Sequence, residues 1–234
     1  MDNQWTVISL GGSIIVPDQI DTEFLKGFAT LIRKHVAEGK KFIIIAGGGK
    51  TVRNYQGAAR TVTEGSLGCV VSVEDLDWLG IHGTRLNGHL MRTIFCDVAH
   101  ANLIKDPTSP IPTDMPVVIA AGWKPGWSTD YDAVLLAKNA GAKHVANLSN
   151  IDYVYTADPR KDPSATKIET TNWTDFRKLL PEKWDPGLSA PFDPVAAKEA
   201  QEAGMEVAVI KGTSLADLDN YLSGTPFKGT LIKD

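Results

Sequence analysis

Short, nearly unbroken apolar runs punctuate this chain. Trp5–Leu10, Phe42–Ala46, Val117–Ala121, His144–Leu148 and Glu206–Ile210 each read this way, bounded by glycine or polar residues. Such runs predict strands buried on both faces, as a parallel sheet requires. Between them the pattern changes period. Phe24, Leu25, Phe28, Leu31, Ile32 and Val36 fall at helical spacing. They predict a helix capped by Asp21, running to about Glu38 and stopped by Gly39. Further helices are expected from Gly49 to about Thr63, and over Tyr131–Ala140, Thr174–Leu180, Pro194–Ala203 and Leu215–Leu222. Ser72 to Ile104 reads as largely helical, with a break near Leu76–Gly80. Lys105–Pro116 is a polar, proline-rich connection. Asn150–Thr166 reads as irregular, with turns at Asp158-Pro159 and Asp162-Pro163, and Thr230–Ile232 as a short last strand. Strands alternating with helices predict an α/β fold: a mainly parallel sheet covered by helices on both faces. No repeat or linker divides the chain, so a single domain is expected, with a change of role near residue 144.

Composition narrows the functional classes. A chain of 234 residues is long enough for one substantial α/β core. A net charge of −4 and a pI near 5.7 argue against nucleic-acid binding by bulk charge. No apolar run approaches the roughly 18 residues of a membrane span. The first residues show no basic region followed by an apolar core, so no signal peptide is expected. These features, with only Cys69 and Cys96, suit a reduced cytoplasmic protein with no membrane partner; both cysteines read as buried thiols. The histidines show no zinc spacing, and no structural metal is expected.

The chemistry gathers in loops that leave strands and enter helices. Ala121-Gly122-Trp123-Lys124-Pro125-Gly126-Trp127-Ser128-Thr129-Asp130 brings hydroxyls and a carboxylate to a helix N-terminus, where free N–H groups hold anions. The design recurs at Leu10-Gly11-Gly12-Ser13 and at Ala46-Gly47-Gly48-Gly49-Lys50. Together these loops suggest a site for several phosphates. The second is not a Walker A motif, because the position six before Lys50 is Ile44, inside a strand. It is either a phosphate-cradling backbone or a tight turn whose glycines serve only unusual φ angles. Arg53, one helical turn further, favours the anion. Trp123 and Trp127 either cover a base or pack the loop down. Asp77, Thr84 and Asn87 are either exposed polar residues or part of the site. Thr156–Pro163 is either a solvated loop or a nucleotide loop, with Tyr155 against a base and Asp158 on a ribose.

In this order the motifs resemble the amino-acid kinase superfamily and, within it, the uridylate (UMP) kinases, nearest their archaeal-type branch. The carriers are Ser9–Ser13, Gly47–Arg53, Asp77–Ile81 with Thr84 and Asn87, Ser128–Asp130 and Asp152–Pro159. The resemblance implies an αβα sandwich. Its acceptor-binding lobe would span about residues 1–143 and its ATP-binding lobe about 144–234. Ser9, Leu10, Gly11, Gly12, Ser13, Gly49 and Arg53 would face ATP phosphates, and Ser149, Asn150, Tyr155 and Asp158 the adenosine. Gly48 would meet the UMP phosphate and Asp77 its ribose. Gly122, Trp123, Lys124, Pro125, Gly126, Trp127, Ser128 and Thr129 would wrap the acceptor. Asp130 would organise the reacting groups, with Lys50 and Arg53 the nearest cations, and Mg²⁺ would arrive with ATP. Hexamers built as trimers of dimers are implied, with dimer contacts from Asp21–Glu38 and Gly57–Thr63. The chain departs from the common pattern where Ser9 stands in a lysine position. Asp193 precedes Pro194–Ala197 where some relatives have lysine, and Tyr153 replaces a glycine. Alternatives are a related kinase with another phosphate or carboxylate acceptor, or a non-catalytic nucleotide- or oxyanion-binding protein.

Overall fold

A computed structural model describes residues 5–64, 70–181 and 190–234. In chain order the elements are β1 (Trp5–Leu10), α1 (Gly12–Ile15), α2 (Thr22–Ala37), β2 (Lys41–Ala46), α3 (Gly49–Thr63), α4 (Val73–Ile94), β3 (Val117–Ala121) and α5 (Thr129–Ala140). Then follow β4 (His144–Ser149), β5 (Val154–Tyr155), β6 (Lys167–Ile168), β7 (Thr170–Thr171), α6 (Trp173–Lys178), α7 (Pro194–Glu202), β8 (Glu206–Lys211), α8 (Leu215–Leu222) and β9 (Thr230–Ile232). The main sheet has the order β3-β2-β1-β4-β8-β9-β7, and β5 pairs with β6 apart from it. From β3 to β8 the strands are parallel; β9 runs antiparallel to β8.

The apolar runs explain this architecture. Successive residues of a strand point to opposite faces, so a run apolar at every position must be covered twice. Phe42, Ile44 and Ala46 enter one core layer with Phe28, Ile32, Met91 and Phe95 of the α2–α4 side. Ile43 and Ile45 enter the other with Val134, Ala137, Trp173 and Ala197 of the α5–α7 side. The result is the expected αβα sandwich. Asp21 caps α2 by accepting the Phe24 N–H at 2.9 Å.

Helix α4 departs from the sequence reading. It runs unbroken through Gly80 and ends at Ile94, after which the chain turns and touches β3 only through isolated bridges at Ala99 and Ile104. Ser72 and Asp75 form a reciprocal capping box at its start. Its glycines serve packing rather than breakage: a Cβ on Gly83 would stand 2.4 Å from the Val52 side chain of α3. The segment read as irregular contains β5, which finds its partner β6 beyond the segment's end. Cys96, expected to be buried, is exposed; it lies past the end of α4, where the apolar periodicity no longer holds. Cys69 lies outside the described residues.

Candidate active site

The strand order reverses direction between β1 and β4, since β1 leads outward through β2 to β3 while β4 leads the other way to β8. Crevices at the carboxyl ends of strands beside such a switch point are where open α/β sheets bind ligands. The first two glycine turns meet there. Gly47 N–H donates to the Leu10 carbonyl at 2.9 Å and Gly11 N–H to Leu148 at 3.0 Å. A Cβ on Gly12 would lie 2.0 Å from the Gly49 nitrogen. Only glycine permits that approach, and Gly49 itself has φ +62°. The Lys50 N–H is taken by the Val16 carbonyl at 2.9 Å.

A cavity of about 700 Å³ opens beside the turns. Gly48, Gly49 and Arg53 line one side, Asp77 and Thr84 another, and Gly122, Lys124, Trp127, Ser128 and Thr129 a third. Gly80 and Ile81 of the Asp77–Ile81 motif also line it, as do Gln56, Arg60, Val73 and Leu76, which escaped the sequence reading. Arg60 stands seven residues beyond Arg53, on the same face of α3, a helical-spacing signal that could have found it. Lys50 is not among the described lining residues.

Side chains of α4 hold the turns in place. Asn87, which is buried, donates to the Gly47 and Gly48 carbonyls at 2.8 and 3.1 Å. Buried Thr84 accepts the Gly122 N–H at 2.9 Å and donates to the Ile81 carbonyl. Asp77 accepts the Gly126 N–H at 2.9 Å, so one carboxylate oxygen already secures the loop. Of the alternatives for these residues, the exposed surface face fails for Thr84 and Asn87. Trp127 stacks on Tyr131 with centroids 4.4 Å apart and on Trp123 at 6.4 Å, and the Lys124 ammonium sits 3.8 Å from the Trp123 ring. They pack the loop together, and Trp127 also faces the cavity.

Ser128 caps α5, its hydroxyl accepting the Tyr131 N–H at 3.1 Å. Asp130 in the first turn of α5 meets Ser9 of β1, whose hydroxyl donates to it at 3.1 Å. Burial raises the Asp130 carboxyl to about 6, against the opposing pull of Ser9. Asp193 adds negative charge nearby. Buried Asp193 caps α7 by accepting the Val195 and Ala196 N–H groups. Ser149 ends β4 beside β1, and its hydroxyl lies 3.5 Å from the Asn150 side chain. The Tyr155 hydroxyl donates to Asp152, and Asp158 is held by both guanidinium and main-chain N–H groups of Arg160. Among the described residues no group of three or more His, Cys, Asp or Glu is placed to hold a metal ion. No described helix is long and apolar enough to cross a membrane.

The sheet and cleft define an α/β protein of the open parallel-sheet class, with its ligand crevice at the carboxyl ends of the strands. A model of the amino acid kinase family matches residues 4–211, and the chain belongs to that family. It is 32% identical to a uridylate kinase of Methanospirillum hungatei, over 97% of this chain and 93% of that protein. It is 33% identical to a uridylate kinase of Methanosarcina barkeri, over 92% and 90%. The crystal structure of uridylate kinase from Archaeoglobus fulgidus superposes with a TM-score of 0.81 at 29% identity, covering 97% of this chain and 99% of that one.

Proposed function

We propose that this chain is an ATP-dependent UMP kinase, transferring the γ-phosphoryl group of ATP to UMP to give ADP and UDP. The names of its full-length relatives support this reading. The observation that carries it furthest is the close opposition of the Gly12 and Gly47–Gly49 turns, with Asp130 bonded to Ser9 of the strand that feeds the first turn and an acceptor-sized cavity alongside.

Phosphoryl transfer asks the protein mainly for in-line positioning and charge neutralisation. The UMP phosphate oxygen is already ionised, so no base is required. In this reading Ser9–Ser13, Gly49 and Arg53 face ATP phosphates, while Gly48 meets the UMP phosphate. Asp77 lies along the acceptor ribose, and Gly122–Thr129 enclose the nucleoside. Ser149, Asn150, Tyr155 and Asp158 line the adenosine. Asp130 organises the reacting groups, with Lys50 and Arg53 supplying positive charge. Residues up to about 143 form the acceptor lobe and the rest the ATP lobe. Mg²⁺ enters with the ATP phosphates, whose charge it neutralises. A homo-oligomer, a hexamer built as a trimer of dimers, belongs to the same reading; exposed Tyr55 on α3 and Leu86 on α4 offer apolar surface for it.

The test is a panel of nucleoside monophosphates and small acids, scored for ADP release with ATP and Mg²⁺. UMP as the best acceptor supports the reading. Turnover of a different acceptor moves the assignment within the family. Intact ATP binding with no turnover of any acceptor moves it to a binding protein.

A further inference from the structure

The two residues that leave β3 are held by side chains at every main-chain polar group. Gly122 N–H goes to Thr84, and the Gly122 carbonyl accepts from Arg85 Nε at 3.3 Å. The Trp123 carbonyl accepts from Arg85 Nη2 at 2.9 Å. The Trp123 N–H goes to Asp132 Oδ2 at 3.1 Å. Arg85 comes from α4 and Asp132 from α5, so the loop root is gripped between two helices. Asp132 is 1% exposed, and its Oδ1 has no hydrogen-bond partner among the described residues. Leaving a buried carboxyl oxygen unpaired costs stability. Among the described residues the one hydrogen bond this side chain makes is to the Trp123 N–H. Asp132 also sits two residues from Asp130, in the same first turn of α5.

We propose that Asp132 is a positioning residue for the phosphoryl acceptor. Through the Trp123 amide, and opposite Arg85, it fixes the acceptor loop at a set distance from Asp130. Beyond Trp123 the loop supplies Lys124, Trp127, Ser128 and Thr129 to the cavity wall. A loop root free to swing would present those groups at variable distance from Asp130, and the loss would fall on acceptor binding. The identity of the acceptor rests on the UMP kinase reading; the clamp does not.

Two measurements on the full chain separate the ideas. The first is amide hydrogen exchange of the 122–128 segment without substrate. Asp132→Ala accelerates exchange there while leaving the β1 and β2 segments unchanged. The second is steady-state kinetics with ATP and UMP. Asp132→Ala raises KM for UMP about tenfold with KM for ATP little changed, as expected for a lost buried hydrogen bond on the acceptor side. Asp132→Asn keeps an acceptor oxygen for Trp123 and recovers most of that loss. If Asp132→Ala does not fold, Arg85→Lys serves instead, because one ammonium cannot span both carbonyls as the guanidinium does. Unchanged exchange at 122–128 overturns the clamp. So does an equal rise in both Michaelis constants, which marks general destabilisation. A wild-type protein inactive on UMP defeats the UMP reading alone, and the exchange result still decides the clamp.

Discussion

The Ser9 hydroxyl donates to the Asp130 carboxylate across 3.1 Å, joining the middle strand of the parallel sheet to the first turn of α5. A hydroxyl therefore faces Asp130 from this strand, and among the described residues the cations that line the cleft are Arg53 and Arg60 of α3 and Lys124 of the loop after β3. Asp130 thus stands against β1, the strand that runs into the Gly11-Gly12 turn. Asp130→Asn is expected to fold and to lower kcat at least about tenfold, roughly 1.4 kcal/mol of barrier. Turnover near the wild-type level removes Asp130 from the mechanism.

Gly12 and Gly49 touch through their backbones, and a methyl group at Gly12 meets a main-chain nitrogen rather than a yielding side chain. Gly12→Ala should force the two turns apart. Overpacking of this kind costs about 1–3 kcal/mol, and here the strain falls on the phosphate-facing turns. A lower melting temperature together with a fall of at least about tenfold in kcat/KM is expected. Kinetics like those of the wild type show that the turns need not be in contact for catalysis.

Arg53 lines the cavity one helical turn past Gly49, with no acidic partner among the described residues. Its guanidinium is suited to paired phosphate oxygens. Arg53→Ala should raise the Michaelis constant of a phosphorylated substrate with less change in kcat. Constants unchanged for both ATP and UMP make Arg53 a surface residue.

Much of the fold was legible because a run such as Phe42–Ala46 admits few alternatives: apolar on both faces, it must be a central strand. The glycine turns were legible for a similar reason, since Gly47-Gly48-Gly49 directly after such a strand leaves few uses. What the sequence hid were relationships between distant positions. Thr84 and Asn87 look like ordinary polar helix residues until Gly122 and Gly47, 38 and 40 positions away, accept or donate their hydrogen bonds. Asp132 carried a local signal, an acid beside the apolar Ala133, Val134, Leu136 and Ala137 that α5 buries, but its partner Trp123 is set by how the loop folds back. Gly80 misled because a helical glycine reads as a breaker, whereas α4 continues through it and Gly83, three residues on, makes room for Val52 of α3.

Burial raises the Asp132 carboxyl from 3.8 to about 7, outweighing the Trp123 hydrogen bond and the attraction of Arg85. The folded state then holds a proton that the unfolded chain has released. Stability from this group is full below about pH 4 and declines as pH rises through about 7. Asp132→Asn buries no charge at any pH. Its melting temperature should gain on the wild type as pH rises from about 5 to about 8, following that linkage. A difference between the two proteins that stays constant over this range shows that Asp132 does not titrate there.

In the UMP kinase reading, base selectivity rests on which groups of the 122–129 loop remain available to the acceptor. Gly122 and Trp123 have all their main-chain groups engaged, and the Gly126 N–H is held by Asp77. Pro125 has no N–H to give. The Ser128 hydroxyl accepts from Tyr131, which leaves its own proton free to donate. That proton, the Thr129 hydroxyl and the remaining main-chain groups are suited to O4 and N3–H of uracil. Cytosine presents an amine in place of O4 and reverses one donor–acceptor relation. An unpaired buried polar group costs about 1–3 kcal/mol, so UMP should exceed CMP by roughly tenfold to a hundredfold in kcat/KM. Ser128→Ala would also weaken the α5 cap, so Thr129→Val, which replaces a hydroxyl by a methyl group, is the cleaner probe. Equal use of UMP and CMP by the wild type defeats the uracil assignment. A preference for UMP that survives in Thr129→Val assigns the discrimination to Ser128 or the main chain.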